Sequence, residues 1–438
     1  MEMKIRDRQI LRIALPSIVS NITVPLLGLV DVTIMGHVGN AVYIGAIAVG
    51  SMIFNLVYWI FGFLRMGTSG MTSQALGRRD LAGVTLMLAR SLAVGLGVAL
   101  LLLIFQQPLL KLMLLLIKPT ADVAPLAARY FHICVWGAPA MLGLYGLMGW
   151  YIGMQNTRTP MFISIMQNVV NIVASLVLVV GFGLKLEGVA TGTVIAQYAG
   201  FSVGIVLLIR HYGRLRRHFV LRDVPDRRSM MRFFTVNRDI FLRTLCLVAV
   251  NLYFTSAGAQ QGAVILAVNT LLLQLYLLFS YVMDGFAYAG EALCGRYYGA
   301  HNRIAFNETL RRLFVWGGGM VIVFTLVYAV GGTPFLRLLT TDGSVIAASA
   351  DYFPWAVAIP VAGVAAFVWD GVFIGMTATR EMLVSLVVAA ASFFGVYAAF
   401  ESMLGNHALW LAMIVYLFMR GMAQTVMFFR RKGLSARC

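Results

Sequence analysis

The stretch GWYIGMQNTR (149–158) returns later in the chain as GVFIGMTATR (371–380), so the numbering offset is 371 − 149 = 222. YFHICVWGAPA (130–140) returns as YFPWAVAIPVA (352–362) at the same offset, and SQALGRR (73–79) matches GEALCGR (290–296) at nearly that offset. One such match could arise by chance in a chain rich in glycine and methionine, but three in the same order indicate an internal duplication. The fold is therefore expected to consist of two similar halves.

The composition is that of a protein embedded in a membrane. Of the 438 residues, 60% are hydrophobic and only 12% are charged, and the mean hydropathy is +0.85, whereas soluble domains carry about 25% charged residues. The net charge of +17 lies mainly in short segments between apolar runs, which is typical of membrane orientation. No stretch resembles a helix-turn-helix or a zinc finger, so no nucleic-acid partner is expected.

Twelve apolar runs are long enough to cross a bilayer, which takes about 20 residues. The first is interpreted as an uncleaved span, because its apolar run is too long for a signal peptide and lacks a small-residue cleavage site. The prediction is an all-α polytopic membrane protein with twelve transmembrane helices. Their approximate limits are 11–36, 44–69, 83–107, 125–153, 160–183, 187–210, 239–259, 262–293, 309–332, 346–376, 382–402 and 405–429.

Lysine and arginine are distributed unequally between the two sides of the predicted membrane. With the N-terminus inside, the cytoplasmic segments hold about 26 of the 34 Lys and Arg residues and the outer loops hold about five. Three arginines remain inside the spans, namely Arg65, Arg90 and Arg420. Because positive residues accumulate on the cytoplasmic side, both termini are expected in the cytoplasm. The basic segment 211–238 then becomes a cytoplasmic linker that faces anionic lipid.

The spans and the repeat together predict two lobes. The matched stretches lie six spans apart, an even number, so the two halves are expected to run parallel in the membrane. The predicted organisation is an N-lobe of six spans (1–210), the basic linker (211–238) and a C-lobe of six spans (239–438). Parallel repeats of this kind occur in secondary transporters that alternate between inward-open and outward-open states. A channel would more often be an oligomeric ring, and no stretch resembles a selectivity-filter loop.

Asp31 lies in the apolar run IVSNITVPLLGLVDVTIMGHVG (18–39) of the first span. A carboxylate at the bilayer centre costs about 2.5–3.5 kcal/mol on insertion scales, so an acid kept there is a candidate functional residue. Apolar surroundings disfavour the charged form of a carboxyl group, which lets such an acid take up and release a proton. Pro25 removes a backbone hydrogen bond and is expected to kink the same helix. Asp31 is the predicted proton-coupling residue; the alternative is an acid held by Asn or Thr neighbours without a proton cycle.

Arg65, Asp284 and Asp370 form a second group of charged residues inside the spans. The repeat alignment places Arg65 opposite Met283, so Arg65 and Asp284 are expected at similar depth, with Asp370 nearby. An unpaired arginine in lipid is costly. The hypothesis is an interlobe latch, in which Arg65 pairs with Asp284 or Asp370 in the outward-open state and separates from it in the inward-open state. A fixed pair within one lobe is the alternative.

Methionine is abundant, with 24 residues. Soft side chains of this kind repack around different ligands, which suits a site for many substrates. Packing in the apolar interior is the alternative use of the same residues. Five methionines are candidates for the lining of a substrate cavity: Met35, Met154, Met166, Met283 and Met376.

Five further stretches are similar to one family of transporters. They are ALPSIVSNITVPLLGLVDVTIMGHVG (14–39), NRDIFLRTL (237–245), DGFAYAGEA (284–292), DGVFIGMTATREM (370–382) and LGNHALWLA (404–412). Over essentially its whole length the chain resembles the multidrug and toxic compound extrusion (MATE) family, in its DinF (DNA-damage-inducible protein F) branch. The resemblance implies a twelve-helix transporter of a bacterial inner membrane that expels cationic or amphiphilic compounds in exchange for H⁺ or Na⁺.

The resemblance also implies roles for particular residues. Family members are thought to protonate an acid in span 1, and that role falls on Asp31. A polar cluster from spans 5 and 6 is expected around it, and its matches here are Asn168, Asn171, Ser175 and Thr193. Ser175 stands where many relatives carry a second aspartate. A single carboxylate with amides and hydroxyls suits a proton better than a sodium ion, which prefers several oxygens with negative charge among them.

The predicted function is proton-coupled multidrug efflux by alternating access, with H⁺ as the coupling ion and no other cofactor, in a functional monomer surrounded by membrane lipids. Antiport coupled to Na⁺ is one alternative. A flippase for a lipid-linked precursor is another, although it would predict a more basic central cavity than the few arginines in these spans suggest. An enzyme would need a nucleophile–base pair or a metal cluster within the spans, and the sequence shows neither pattern.

Overall fold

Long helices build the fold, as the apolar runs predict. The computed structural model describes residues 2–38, 41–339 and 342–435, with side chains throughout except at 2–4, 24, 26–30, 32, 35–38, 41, 333, 338, 339 and 432–435. No strand occurs in these ranges. Among the described residues, eleven helical segments are long and apolar enough to cross a membrane. Helix α1 (Glu2–Val38) covers the predicted first span. The all-α, multi-pass membrane fold is therefore confirmed.

The chain divides into two compact units. One comprises Val19–Asn237 and is here named the Asp31 unit; the other comprises Met1–Ile18 and Arg238–Cys438 and is named the Asp370 unit. The sequence prediction placed the start of the chain in an N-lobe (1–210) and set 211–238 apart as a linker. The structure instead groups the start of α1 with the second half of the chain and groups the linker with the first half.

The helices of the two units follow one another in chain order. After α1, the Asp31 unit contains α2 (Ala41–Phe61), α3 (Phe63–Gly77), α4 (Leu81–Ile104), α5 (Gln106–Ile117), α6 (Val123–Cys134), α7 (Ala138–Gly153), α8 (Arg158–Leu176) and α9 (Leu186–Tyr212). Helix α10 (Arg227–Gln260) leads into the Asp370 unit, which continues with α11 (Ala263–Gly299), α12 (Arg303–Leu339), α13 (Gly343–Gly375), α14 (Thr379–Leu404) and α15 (Asn406–Ser435).

The duplication is visible in the backbone geometry. Gln155 follows α7 with φ of 62° and Thr377 follows α13 with φ of 53°, and the numbering offset is again 377 − 155 = 222. Arg79 and His301 follow α3 and α11 in the same left-handed conformation, with φ of 59° and 54°, and 301 − 79 is also 222. Non-glycine residues rarely adopt this conformation. Its recurrence at one offset shows that the two halves repeat the same turns.

Close helix packing follows the same offset and corrects one sequence match. Gly149 of α7 packs against the backbone of Arg65, and Gly371 of α13 packs against the backbone of Ala287. The two pairs have equal sequence separation, since 149 − 65 and 371 − 287 are the same. Arg65 therefore corresponds to Ala287, and its predicted correspondence to Met283 is wrong by about one helical turn. The error came from matching SQALGRR with GEALCGR on composition, which ignored the turn at Arg79.

The basic segment 211–238 is more ordered than a linker. Helix α10 begins at Arg227, so that Asp239 lies well inside the helix rather than at its start. Upstream, the buried Arg90 of α4 donates hydrogen bonds to the carbonyl oxygens of Asp223 (2.7 Å) and Val224 (3.0 Å). Arg90, which the sequence predicts to lie in a span, thus holds the segment between α9 and α10 against α4 of the Asp31 unit.

The beginning of α1 is held on α12 by charged groups. Arg312 donates to both carboxylate oxygens of Asp7, with 2.7 Å from Nε to Oδ1, and the Trp316 indole donates to Oδ1 at 3.0 Å. Nearby, Arg6 donates to Glu308 at 3.2 Å. The hydrogen bonds from Arg312 hold the pKa of Asp7 below its ordinary value.

Asp7→Asn is expected to lower the thermal stability of the purified protein at neutral pH. Because the folded-state pKa of Asp7 is lowered, the ionised carboxylate stabilises the fold above the unfolded pKa of about 3.9, and this contribution is lost as pH falls through the folded pKa. The melting temperatures of wild type and variant should therefore converge at acidic pH. The exposed Asp351→Asn is the control and should show no difference at either pH. An equal loss in Asp7→Asn at every pH would contradict the ionic origin.

Candidate functional site

Asp31 is buried in the Asp31 unit, with only 3% of its surface exposed. The Thr193 hydroxyl of α9 lies 3.4 Å from Asp31 Oδ2 and 3.1 Å from the carbonyl oxygen of Val189, so its proton can be directed to either acceptor. The amide of Asn171 on α8 donates to Thr193 Oγ1 at 3.1 Å. A chain of polar groups thus runs from α8 through α9 to the Asp31 carboxyl group.

One face of α8 carries the polar residues of this cluster. Ser164, Asn168, Asn171 and Ser175 are spaced by four, three and four residues, which places them along one side of a helix. Ser164 shares a hydrogen bond of 2.8 Å with Ser20 of α1. Asn168 donates to the backbone carbonyl of Thr23 at 2.8 Å, two residues before Pro25. The polar face of α8 therefore fastens α1 beside the residue that was predicted to kink it.

Close packing between α8 and α9 encloses the end of the cluster. A Cβ at Gly192 of α9 would lie 2.9 Å from the backbone nitrogen of Ser175, so only glycine allows this approach. Ser175 and Asn171 are fully buried. On α6, Tyr130 and Cys134 are buried one turn apart and interact electrostatically with Asp31. Asp31 thus faces α6, α8 and α9, and the groups named on these three helices are neutral.

Three buried atoms of the cluster lack a hydrogen-bond partner in the part of the chain that the structure describes. They are Asp31 Oδ1, Asn171 Oδ1 and Ser175 Oγ. Asn171 Oδ1 can only accept a hydrogen bond, and the same is true of Asp31 Oδ1 when Asp31 is ionised. An unpaired buried acceptor costs about 1–3 kcal/mol. A proton on Asp31 would add a donor to a cluster with surplus acceptors. The chemistry of the site therefore fits uptake of a positive charge at one carboxyl group.

The structure brings together the residues that the resemblance assigned to the N-lobe cluster. Asn171 and Thr193 connect to Asp31, Asn168 bonds α1, and Ser175 lies buried at the end of the same face. Pro25 lies within α1 and is exposed, and the helix continues on both sides of it. The roles of these residues, including a kink at Pro25, stay predictions.

The five candidate methionines take different positions. Met154 and Met166 are half-buried in the Asp31 unit, and Met154 packs against the core around Trp150. Met283 is fully enclosed in the Asp370 unit and Met376 is buried there. The side chain of Met35 lies outside the described residues. A substrate cavity lined by these methionines stays a prediction.

Asp370 has partners that the sequence analysis missed. Arg243 of α10 and Arg420 of α15 both donate to its Oδ2, and Gln424 of α15 donates to its Oδ1 at 2.7 Å. All three partners lie in the same unit as Asp370. The latch of Arg65 with Asp284 or Asp370 stays a prediction.

Arg243 lies near the predicted start of span 7, and the sequence analysis gave it no role. Helix α10 already begins at Arg227, which places Arg243 about 24 Å along the helix. Only 3% of its surface is exposed. A signal was present in IFLRTLCLVAV (240–250), where this charged residue is followed by an apolar run. A charged residue in that setting is a candidate functional residue.

Comparison with known proteins agrees with the fold. The family model described as MatE matches residues 16–177 and 240–400. The chain is 37% identical over 418 residues to DNA damage-inducible protein F of Escherichia coli (strain K12), covering 95% of this chain and 91% of that protein. A probable multidrug resistance protein NorM of Photorhabdus laumondii is 23% identical over 349 residues, covering 77% and 75%. The crystal structure of a mutant of the Vibrio cholerae MATE transporter VcmN superposes with a TM-score of 0.86 at 17% identity, covering 99% and 98%.

Proposed function

The chain belongs to the MatE family of transporters, and on this basis we propose that it is a secondary active multidrug efflux transporter. In this proposal it exchanges cationic or amphiphilic compounds for protons by alternating access. The main observation behind the proposal is the Asp31 carboxyl group, which is buried among neutral hydrogen-bonding groups on α6, α8 and α9.

The cycle follows from the two charge states of Asp31. The ionised carboxylate, shielded from water, attracts a cationic substrate from the cytoplasm or the inner leaflet. A proton from the outer side neutralises Asp31, removes that attraction and supplies a donor for an acceptor such as Asn171 Oδ1. Exchange of one proton for one monovalent cation moves no net charge, so the pH difference drives it: about 1.4 kcal/mol per pH unit, which supports a concentration ratio of about ten.

The hydrogen bonds of α8 to α1 suggest how protonation is transmitted. Asn168 and Ser164 hold α1 near Pro25, while Asn171 reaches Asp31 through Thr193. A change in charge at Asp31 therefore acts on the helix face that also positions the proline. Bending of α1 at Pro25 is the proposed response, with release of the substrate as its consequence.

A proton is preferred over sodium because of the ligands that the cluster offers. Na⁺ antiport would need several oxygens with negative charge, whereas the groups that surround Asp31 on α6, α8 and α9 are amides, hydroxyls and a thiol. The proposal further places the protein in a bacterial inner membrane as a monomer, with both termini in the cytoplasm.

The decisive experiment uses purified protein in lipid vesicles loaded with a fluorescent cationic drug. An imposed pH gradient should drive counterflow of the drug, and a Na⁺ gradient of equal size should not. A matched K⁺ gradient controls for ionic strength. Transport driven by Na⁺ at constant pH would assign the coupling to sodium, and absence of drug movement under both gradients would refute the antiport proposal.

A further inference from the structure

The buried cluster of the Asp370 unit, here named the arginine cluster, consists of Arg243, Asp370, Arg420 and Gln424. Arg243, Arg420 and Asp370 are exposed by 3%, 4% and 7%, and Gln424 is fully buried. Within direct contact there are two guanidinium groups and one carboxylate. The excess positive charge is expensive in apolar surroundings unless something compensates it. Asp284 of α11 also interacts electrostatically with Arg243.

The carboxylate of Asp370 is engaged at both of its oxygens. Its Oδ2 accepts from both arginines and its Oδ1 accepts from Gln424. A guanidinium group carries five N–H donors. In the described part of the chain, four buried atoms of the cluster and its surroundings have no hydrogen-bond partner: the donors Arg243 Nε and Arg420 Nε, the Tyr416 hydroxyl, and the acceptor Gln424 Oε1. Buried donors normally have an acceptor, and a set without one indicates a missing water or ion.

The unpartnered N–H and O–H groups come from two helices, and all of them can donate to an oxygen acceptor. Arg243 is on α10, while Arg420 and Tyr416 lie one turn apart on α15. Paired guanidinium groups bind carboxylate and phosphate through parallel N–H···O bonds. The acceptor that fits both the charge and the donors is an oxyanion.

Aromatic rings next to the cluster suit an apolar tail. The Arg420 guanidinium lies over the ring of Phe367, with Cζ 5.7 Å from the centroid. Tyr276 of α11 packs against Phe367 with centroids 6.4 Å apart, and Phe279 packs edge-on at 5.7 Å. The charged cluster therefore adjoins aromatic rings of the interior of the same unit, with Phe279 fully enclosed and Phe367 buried.

We propose that the arginine cluster binds the oxyanion group of an amphiphile, namely a carboxylate, sulfonate or phosphate that is attached to an apolar body. As a statement about cargo, this rests on the proposed transport function and extends it to anionic and zwitterionic amphiphiles. Arg243 and Arg420 hold the oxyanion, and Phe367 with Tyr276 contacts the apolar part. A lipid-linked precursor carries the same chemistry.

The test measures binding without any ion gradient, using the full-length protein in lipid nanodiscs. The probes are dansyl-labelled undecanoate, its neutral methyl ester, and inorganic phosphate as a competitor. Arg243→Met and Arg420→Met each leave Asp370 paired with the other arginine, so both variants keep a balanced ion pair. Arg243→Lys keeps the positive charge but loses the planar guanidinium group, which can donate two parallel hydrogen bonds to a carboxylate. The exposed Arg380→Met of the same unit is the matched control.

The undecanoate should bind wild type and Arg380→Met equally. Its affinity should fall about tenfold or more in either Met variant, because each variant loses one charge-assisted hydrogen bond to the carboxylate. Arg243→Lys should bind with intermediate affinity. Equal binding of acid and ester, or unchanged binding in the Met variants, would overturn the proposal. Binding of inorganic phosphate without the undecanoate would overturn the amphiphile assignment. Because no gradient is present, failure here leaves the antiport proposal standing, and failure of antiport leaves this one standing.

Discussion

Replacing Asp31 with asparagine should abolish drug efflux driven by a pH gradient, reducing it to the level of vesicles without protein. Asparagine keeps the size and hydrogen-bonding capacity of the protonated acid, so the contact with Thr193 survives and the protein should insert and fold normally. In the proposed mechanism, the substitution removes the negative charge that attracts the substrate and the group that carries the proton. The effect should therefore fall on coupled transport rather than on stability, and drug counterflow in vesicles measures it.

Two controls separate this effect from nonspecific damage. The exposed Asp122→Asn lies in the same unit and should transport like wild type. Thr193→Ser keeps the hydroxyl that faces Asp31 and should retain transport, whereas Thr193→Val removes it and should impair transport. Efflux by Asp31→Asn at the wild-type rate under a pH gradient would refute the proton-coupling role. A variant that fails to reach the membrane would instead show that Asp31 is structural.

Asp370→Ala should destabilise the Asp370 unit by about 3–5 kcal/mol, the usual cost of breaking a buried ion pair from one side. The substitution leaves Arg243 and Arg420 adjacent without the carboxylate that both contact. Combining it with Arg243→Met removes one of the two repelling charges and should recover part of the loss. Thermal unfolding of the purified protein, followed with a thiol-reactive dye at the buried Cys294, gives the measurement.

The same variant offers a check on the nature of the site. If two guanidinium groups attract oxyanions, added acetate should raise the melting temperature of Asp370→Ala more than that of wild type. Chloride at equal ionic strength is the control for screening. The exposed Asp351→Ala should behave like wild type in both salts. A melting temperature of Asp370→Ala equal to that of wild type would show that the arginines find compensation elsewhere.

Asp31 could be located from the sequence because an acid in an apolar run stands out by itself. Its polar neighbours on α8 and α9 were expected only through the resemblance to the transporter family. Arg243 drew no attention in the sequence, since span 7 was expected to start at Asp239, whereas the helix starts at Arg227 and carries Arg243 well inside it. The predicted correspondence of Arg65 to Met283 was also wrong. Two stretches of similar composition can be matched one helical turn out of register, whereas the contacts between packed helices fix which residues correspond.

The class of the protein could be inferred from the chain alone, through twelve apolar runs, an internal repeat, a charge asymmetry and one acid in the first span. These properties depend on composition and period, which require no knowledge of packing. Which charges meet, in contrast, depends on how the helices pack in three dimensions. Arg243 and Arg420 lie 127 and 50 residues from Asp370 in the chain. No local sequence pattern predicts that both arginines donate to the same carboxylate oxygen. Packing also groups Met1–Ile18 with the second half of the chain, because ionic hydrogen bonds to Arg312 and Glu308 hold the start of α1.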